Sequence, residues 1–174
     1  MNLVDNDFVL FGLPLQQALD RIELDTRRRA LQAQVHPDRF ASQGAAAQRL
    51  AMQWAVRVNQ AYEHLKDPLK RAALLCELRG VPIDAERNTA MPTAFLMQQM
   101  QWRDALEDAD GPAAVAALAD SVRAEERILF TRLGDLLDRD NNTVAAAAQV
   151  RALMFVARFR HDIERRLDTL DATR

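Results

Sequence analysis

Apolar residues recur at steps of three and four through most of this chain, a period that points to helices. Leu50, Trp54, Val58, Ala61 and Leu65 follow one another at steps of four, four, three and four. Val115, Leu118, Val122, Leu129, Leu133 and Leu136 keep a second stripe, and Val156, Phe159, Ile163, Leu167 and Leu170 a third. Side chains so spaced share one face of an α-helix. Strand signals are few: aromatics make up 6% of the chain, and the 5 glycines and 6 prolines fall mostly between the periodic segments. Ala, Leu, Arg and Gln are abundant, as expected of an all-α protein. Short connections between long amphipathic helices favour antiparallel bundles.

Local punctuation places the helices. Phe8-Val9-Leu10-Phe11-Gly12-Leu13-Pro14 is a short apolar segment, fit for one or two helical turns that plug a core. Asp20 reads as an N-cap with Glu23 three positions on. It opens a helix over 21–35 on which Leu24, Leu31 and Val35 share a face. A long helix is expected over 45–65. Asp67-Pro68 then pairs an N-cap with proline at the first helical position, and Gly80 is a natural C′ residue for the helix that follows. The stretch 81–92 carries Pro82, Pro92 and the polar run Glu86-Arg87-Asn88-Thr89, and reads as a linker. Three more helices are expected over 93–108, 113–137 and 144–170, broken at Asp110-Gly111-Pro112 and Asp140-Asn141-Asn142-Thr143. The expectation is therefore an N-terminal helical module over 1–80, a linker over 81–92, and a three-helix bundle over 93–174.

The whole chain has a net charge of −2, so bulk electrostatics do not make it a nucleic-acid binder. The halves differ: residues 1–80 hold 11 Lys and Arg against 9 Asp and Glu, and residues 81–174 hold 12 against 16. A basic first half and an acidic second half point to two surfaces with different partners. Cys76 is the only cysteine, which excludes an intramolecular disulfide and a cysteine-cluster metal site. It sits among Leu74, Leu75 and Leu78, as a buried, inert thiol would. His64 and His161 have no companions at metal-ligand spacing and read as surface or capping residues, so neither metal nor cofactor is expected. No apolar run reaches transmembrane length. Met1-Asn2-Leu3-Val4-Asp5 lacks the basic start of a secretory signal, and a soluble cytoplasmic protein is expected.

His36-Pro37-Asp38 interrupts the helical pattern. Pro37 supplies no helical N–H and pushes His36 out of the α region. The tripeptide thus ends one helix and displays His36 and Asp38 on a corner, where exposed polar groups suit recognition by another protein. Arg27, Arg28 and Arg29 lie on the helix that it ends, largely off the apolar face. A partner or plain solvation must account for them.

A second unusual feature is the helix over 93–108. Phe95, Trp102 and Leu106 fall on one side, an ordinary core stripe. Leu96, Met97 and Met100 fall on the other, with Asp104 and Asp108 nearby. A terminal helix of a three-helix bundle has no second core to fill. An apolar patch of Leu and Met edged by acids fits an adaptable protein-binding surface; packing against the other module is the alternative.

A short apolar helix, a basic helix, a His-Pro-Asp turn, a long helix and a closing helix resemble a J domain. Four stretches strengthen this and narrow it to the HscB type of J protein: Leu10-Phe11-Gly12-Leu13-Pro14, His36-Pro37-Asp38-Arg39-Phe40-Ala41, Val58-Asn59-Gln60-Ala61-Tyr62 and Asp67-Pro68-Leu69-Lys70-Arg71-Ala72. Thr93-Ala94-Phe95-Leu96-Met97-Gln98-Gln99, which a generic J protein would lack, is similar to the start of that family's C-terminal bundle. The resemblance covers essentially the full chain. With no Cys-rich N-terminal extension, it is nearer the bacterial form. It implies a co-chaperone that brings an iron–sulfur scaffold protein of the IscU type to a DnaK-like ATPase of the HscA type and stimulates that ATPase. Carried over by position, His36, Pro37 and Asp38 with Arg27, Arg28, Arg29 and Arg39 would face the chaperone. Leu96, Met97, Met100, Gln101, Asp104, Asp108 and Phe155 would face the scaffold. Three positions depart from the pattern: Arg39 stands where many J domains have Lys, Gln101 where an acid is usual, and Asp104 is one carbon short. On residue type alone Phe155 suits core packing as well as partner contact.

Other classes make different demands. A J-domain co-chaperone for another client would share the first half. A thiol hydrolase built on Cys76 with His36 and Asp38 needs an exposed, activated thiolate, and no oxyanion loop accompanies these residues. A nucleic-acid module built on Arg27–Arg29 needs denser basic clustering.

Overall fold

The computed structural model describes residues 2–85 and 90–172. Among them there is no strand; the chain forms seven α-helices and one 3₁₀ helix. The polar run 86–89 lies outside the described residues. Two compact units divide the chain, Met1–Leu75 and Cys76–Arg174.

In the first unit, α1 (Asp7–Phe11), α2 (Arg21–Val35) and α3 (Ala45–Lys66) pack on one another, and α4 (Pro68–Leu78) begins there. Asn6 caps α1, accepting from the Val9 N–H at 3.0 Å. Phe8 and Phe11 are buried in the unit's core with Leu24, Val58, Ala61 and Leu65. The chain leaves α1 through Gly12 at φ +63°, where a side chain would be strained. An added Cβ would also stand 2.8 Å from Arg27 Nη1. Asp20 caps α2 by accepting from the Ile22 N–H at 2.8 Å. Glu23 does not complete a capping box; its Oε1 accepts from Arg27 instead. Asp67 caps α4 through the N–H groups of Leu69 and Lys70. Gly80 ends α4 in a Schellman arrangement, with Gly80 N–H on the Glu77 carbonyl and Val81 N–H on that of Cys76, both at 2.9 Å.

One expectation needs correcting. Leu50 and Trp54 keep the helical step of α3, yet Leu50 is exposed and Trp54 only half-buried. The reason is register. Gln32 on α2 hydrogen-bonds Asn59 on α3 at 3.1 Å, so the first ten or so residues of α3 run about 15 Å past the end of α2. The 3₁₀ helix over Pro37–Gln43 packs on α3. A period reports which residues share a face and is silent on where the covering helix stops.

The second unit is built on the long antiparallel pair α6 (Pro112–Asp138) and α7 (Thr143–Ala172), with the shorter α5 (Thr93–Glu107) laid against them. Val115, Val122, Leu129 and Leu133 face Val150, Leu153, Val156 and Phe159 in its core, all buried. Asn142 caps α7 through the Ala145 N–H at 3.1 Å. Arg151 is buried on α7 and donates to the carbonyls of Ile83 at 3.1 Å and Ala90 at 2.7 Å, tying both to the bundle.

Candidate functional site

The first surface is the corner after α2. His36 has φ −61° and ψ 126°, the extended conformation imposed on a residue before proline. It ends α2 and caps the 3₁₀ helix, its Nδ1 accepting from the Asp38 N–H at 3.3 Å. Both side chains are exposed, that of Asp38 almost wholly. Arg39 turns back and donates to the Ala33 carbonyl at 2.9 Å, satisfying one of the open carbonyls at the end of α2. The corner is therefore pinned by its own residues while its imidazole and carboxylate point to solvent.

The three consecutive arginines of α2, Arg27, Arg28 and Arg29, do three different jobs. Arg27 donates through Nη1 to the carbonyls of Phe11 and Gly12, both at 2.9 Å, and fastens α1 to α2. Arg28 stands over Tyr62, its guanidinium carbon 4.1 Å from the ring centroid. Arg29 is exposed. The run thus presents one guanidinium freely and one on an aromatic support, and spends the third on the fold.

The second surface lies on α5. Phe95 and Trp102 are buried and join Phe155 and Phe159 of α7 in a closed cycle of four rings. The centroids are 5.8–6.0 Å apart, with two edge-on and two stacked contacts. That cycle consumes the inner face of α5. On its outer face Leu96 is 38%, Met97 65% and Met100 64% exposed. Gln101, Asp104 and Asp108 are exposed along the same helix, and the Gln98 amide donates to Gln101 Oε1 at 3.4 Å. Asp104 and Asp108 stand at the C-terminal end of α5, where the helix dipole disfavours negative charge. Local structure thus gives those carboxylates no reward. Phe155 combines both readings open to it: it belongs to the ring cycle and is half-buried, with the Arg103 guanidinium 5.3 Å from its centroid.

The chain as a whole is similar to known proteins. Residues 91–164 match the family model described as the HSCB C-terminal oligomerisation domain. Over 173 residues the chain is 51% identical to a co-chaperone protein HscB homolog of Paraburkholderia phymatum, covering 98% of each. The chain belongs to the HscB family of co-chaperones. An HscB homolog of Burkholderia thailandensis is 52% identical over 174 residues, 98% of this chain and 99% of that one. The solved structure of chaperone HscB from Vibrio cholerae is similar with a TM-score of 0.78 at 39% identity, covering 95% of this chain and 99% of that one. Human co-chaperone HscB shares the fold with a TM-score of 0.85 at 22% identity, over 94% and 83% of the two chains. The architecture is therefore that of the HscB fold, a J-like N-terminal domain followed by a C-terminal helical bundle.

Outside the two surfaces the described residues offer little chemistry. Cys76 is buried, and burial pushes its thiol up to about 11. It is an inert core sulfur, which removes the thiol-hydrolase reading. No group of His, Cys, Asp and Glu able to hold a metal ion occurs among the described residues, and no helix among them is long and apolar enough to cross a membrane.

Two clusters escaped the sequence. Asp7, 5% exposed, accepts from Arg57 at 2.6 Å and pairs with His64 Nδ1 at 2.8 Å; Arg57 also donates to the Asp5 carbonyl. His64 is thus a partner of a buried carboxylate, more than a surface residue. Tyr62 donates its hydroxyl to Asp25 at 2.8 Å and accepts from Arg21 at 2.7 Å. Both clusters join residues more than 30 positions apart, beyond the reach of any local pattern.

Proposed function

We propose that this chain carries an iron–sulfur scaffold protein of the IscU type on α5 and delivers it to a DnaK-like chaperone of the HscA type. Its His36-Pro37-Asp38 corner stimulates that chaperone's ATP hydrolysis, and the cycle assists iron–sulfur cluster maturation in the cytoplasm. Residues 1–80 form the chaperone-addressing module, 81–92 the connection, and 93–174 the cargo module. The role is that of a binding adaptor, with no catalytic group of its own.

One observation carries the reading. α5 uses its aromatic face completely and still exposes Leu96, Met97 and Met100. Methionine side chains, unbranched and polarizable, adapt their shape to a partner. The acids Asp104 and Asp108 add an attraction for basic residues on the cargo, and Gln101 in place of an acid lowers the salt dependence of that attraction. Phe155 lends the exposed part of its ring. On the other unit, His36 and Asp38 present an imidazole and a carboxylate to the chaperone, with Arg28, Arg29 and Arg39 as the basic surround and Arg27 holding the scaffold of α1 and α2 in shape.

The reading is tested by two variants. His36→Gln should abolish stimulation in a steady-state ATPase assay while leaving the helical circular dichroism intact. Changing Leu96, Met97 and Met100 together to Ser should weaken scaffold binding in calorimetric titration and spare stimulation. Wild-type behaviour of both variants would reject the proposal.

A further inference from the structure

The chaperone-facing helix α2 has a support that its own sequence does not reveal. Tyr62 of α3 is buried, and its hydroxyl bonds residues of α2. The hydroxyl donates to Asp25 Oδ1 at 2.8 Å and accepts from Arg21 Nη2 at 2.7 Å. Over the ring stand Arg28 at 4.1 Å, Arg21 at 5.3 Å and Lys66 at 5.4 Å from the centroid. Arg28 makes no hydrogen bond or ion pair among the described residues, and its Nε is buried without a partner. The Tyr62 ring and the charge of nearby Glu63 hold the guanidinium in that position. Its remaining N–H groups are left for a visitor.

The charges around Tyr62 are Arg21, Arg28, Arg29 and Lys66 against Asp25 and Glu63. Lys66 is spent largely on Glu63, at 2.7 Å, and Arg21 on Asp25, at 3.1 Å. Arg28 and Arg29 remain, beside a shallow recess that Asp25, Gln32 and Tyr62 also line. Two guanidiniums with no side-chain hydrogen bond or short ion pair among the described residues, one of them over an aromatic ring, match a pair of carboxylates on a protein surface. A freely rotating Arg28 would lose rotamer entropy on docking; a stacked one has lost it already.

We infer that Tyr62 is a positioning residue for chaperone docking: it pre-orders the Arg28 guanidinium to receive an acidic group of the DnaK-like partner. The inference rests on the reading that α2 and the His36 corner address such a chaperone. Tyr62 touches none of the partner itself. Its effect passes through Arg28, so it governs how much protein is needed for stimulation and leaves the size of the stimulation unchanged.

The experiment titrates full-length protein into a DnaK-like ATPase and fits half-saturating concentration and maximal stimulation separately. Tyr62→Leu should raise the half-saturating concentration about three- to fivefold, the loss expected for one exposed cation–π support, with the maximum unchanged. Arg28→Gln should do the same. The double variant should be no worse than either single one, because both remove one interaction. Tyr62→Phe keeps the ring and should stay within about twofold of wild type. If Tyr62→Leu melts near the assay temperature, Tyr62→Met, bulkier and without a π face, takes its place. A wild-type half-saturating concentration in the folded variant, a lowered maximum, or additive effects with Arg28→Gln would each overturn the inference. Loss of stimulation in His36→Gln alongside any of these leaves the chaperone reading standing. Retained stimulation in His36→Gln overturns that reading and this inference with it.

Discussion

Replacing Phe95 by Leu should loosen α5 and little else. Phe95 is buried and makes two edge-on ring contacts, with Trp102 at 6.0 Å and Phe155 at 5.8 Å. Each such contact is worth about 0.5–1.5 kcal/mol beyond burial. The smaller side chain adds about 0.5–1 kcal/mol of lost transfer energy and cavity. With partial repacking, the helix should lose about 2–3 kcal/mol of its attachment. α5 is the shortest helix of its unit and packs less extensively than the α6–α7 pair, so it should open locally before the bundle unfolds. Native-state hydrogen exchange reads that opening directly. Protected amides of α5 should exchange about 30- to 150-fold faster, since each 1.4 kcal/mol is a factor of ten. Amides in the middle of α6 and α7 should hold their wild-type rates. Met97→Ser, on the exposed face, should change neither set by more than about 0.5 kcal/mol. Unchanged α5 rates in Phe95→Leu, or equal acceleration along all three helices, would refute the picture of one helix with an anchoring face and a free face.

Three further outcomes are expected. Asp7→Ala should cost about 2–4 kcal/mol in urea unfolding with an unchanged slope, because it leaves the largely buried Arg57 guanidinium without its carboxylate. Cys76 should resist alkylation at neutral pH in the native protein and react quickly in denaturant; rapid native labelling would contradict its burial. The Asp25 carboxyl, lowered chiefly by the Tyr62 hydroxyl, should titrate at higher pH in Tyr62→Phe when followed by NMR. Because its folded value is depressed, its contribution to stability is present above the ordinary carboxylate range and fades as pH falls through the folded value. That acid-side loss should shrink in the Phe variant.

Local chemistry made much of this structure legible. Asp20, Asp67 and Gly80 mark helix ends because caps and left-handed glycines act within three or four residues. The two faces of α5 follow from angular position alone, and Phe95 and Trp102 against Leu96, Met97 and Met100 stand where the period puts them. The fate of each arginine was not legible. Arg27, Arg28 and Arg29 are identical letters in a row; the Phe11 carbonyl takes the first and the Tyr62 ring the second. Leu50 and Trp54 failed for a related reason, since the length of α2 decides what covers them. Nothing local marks Asp7 as a buried anchor, because its partner Arg57 lies 50 positions away. Long-range pairing is invisible to a period, and both hidden clusters depend on it.

In the proposed cycle, one unit of this HscB-family chain addresses an ATPase and the other holds its cargo. ATP turnover by a DnaK-like chaperone, measured with the protein and an IscU-type scaffold separately and together, tests it most directly. The account predicts modest stimulation by the protein alone and greater stimulation with scaffold added. The added increment should vanish when Leu96, Met97 and Met100 become Ser, and all stimulation should vanish in His36→Gln. Full stimulation by His36→Gln, or a scaffold increment that survives the triple replacement, would contradict it.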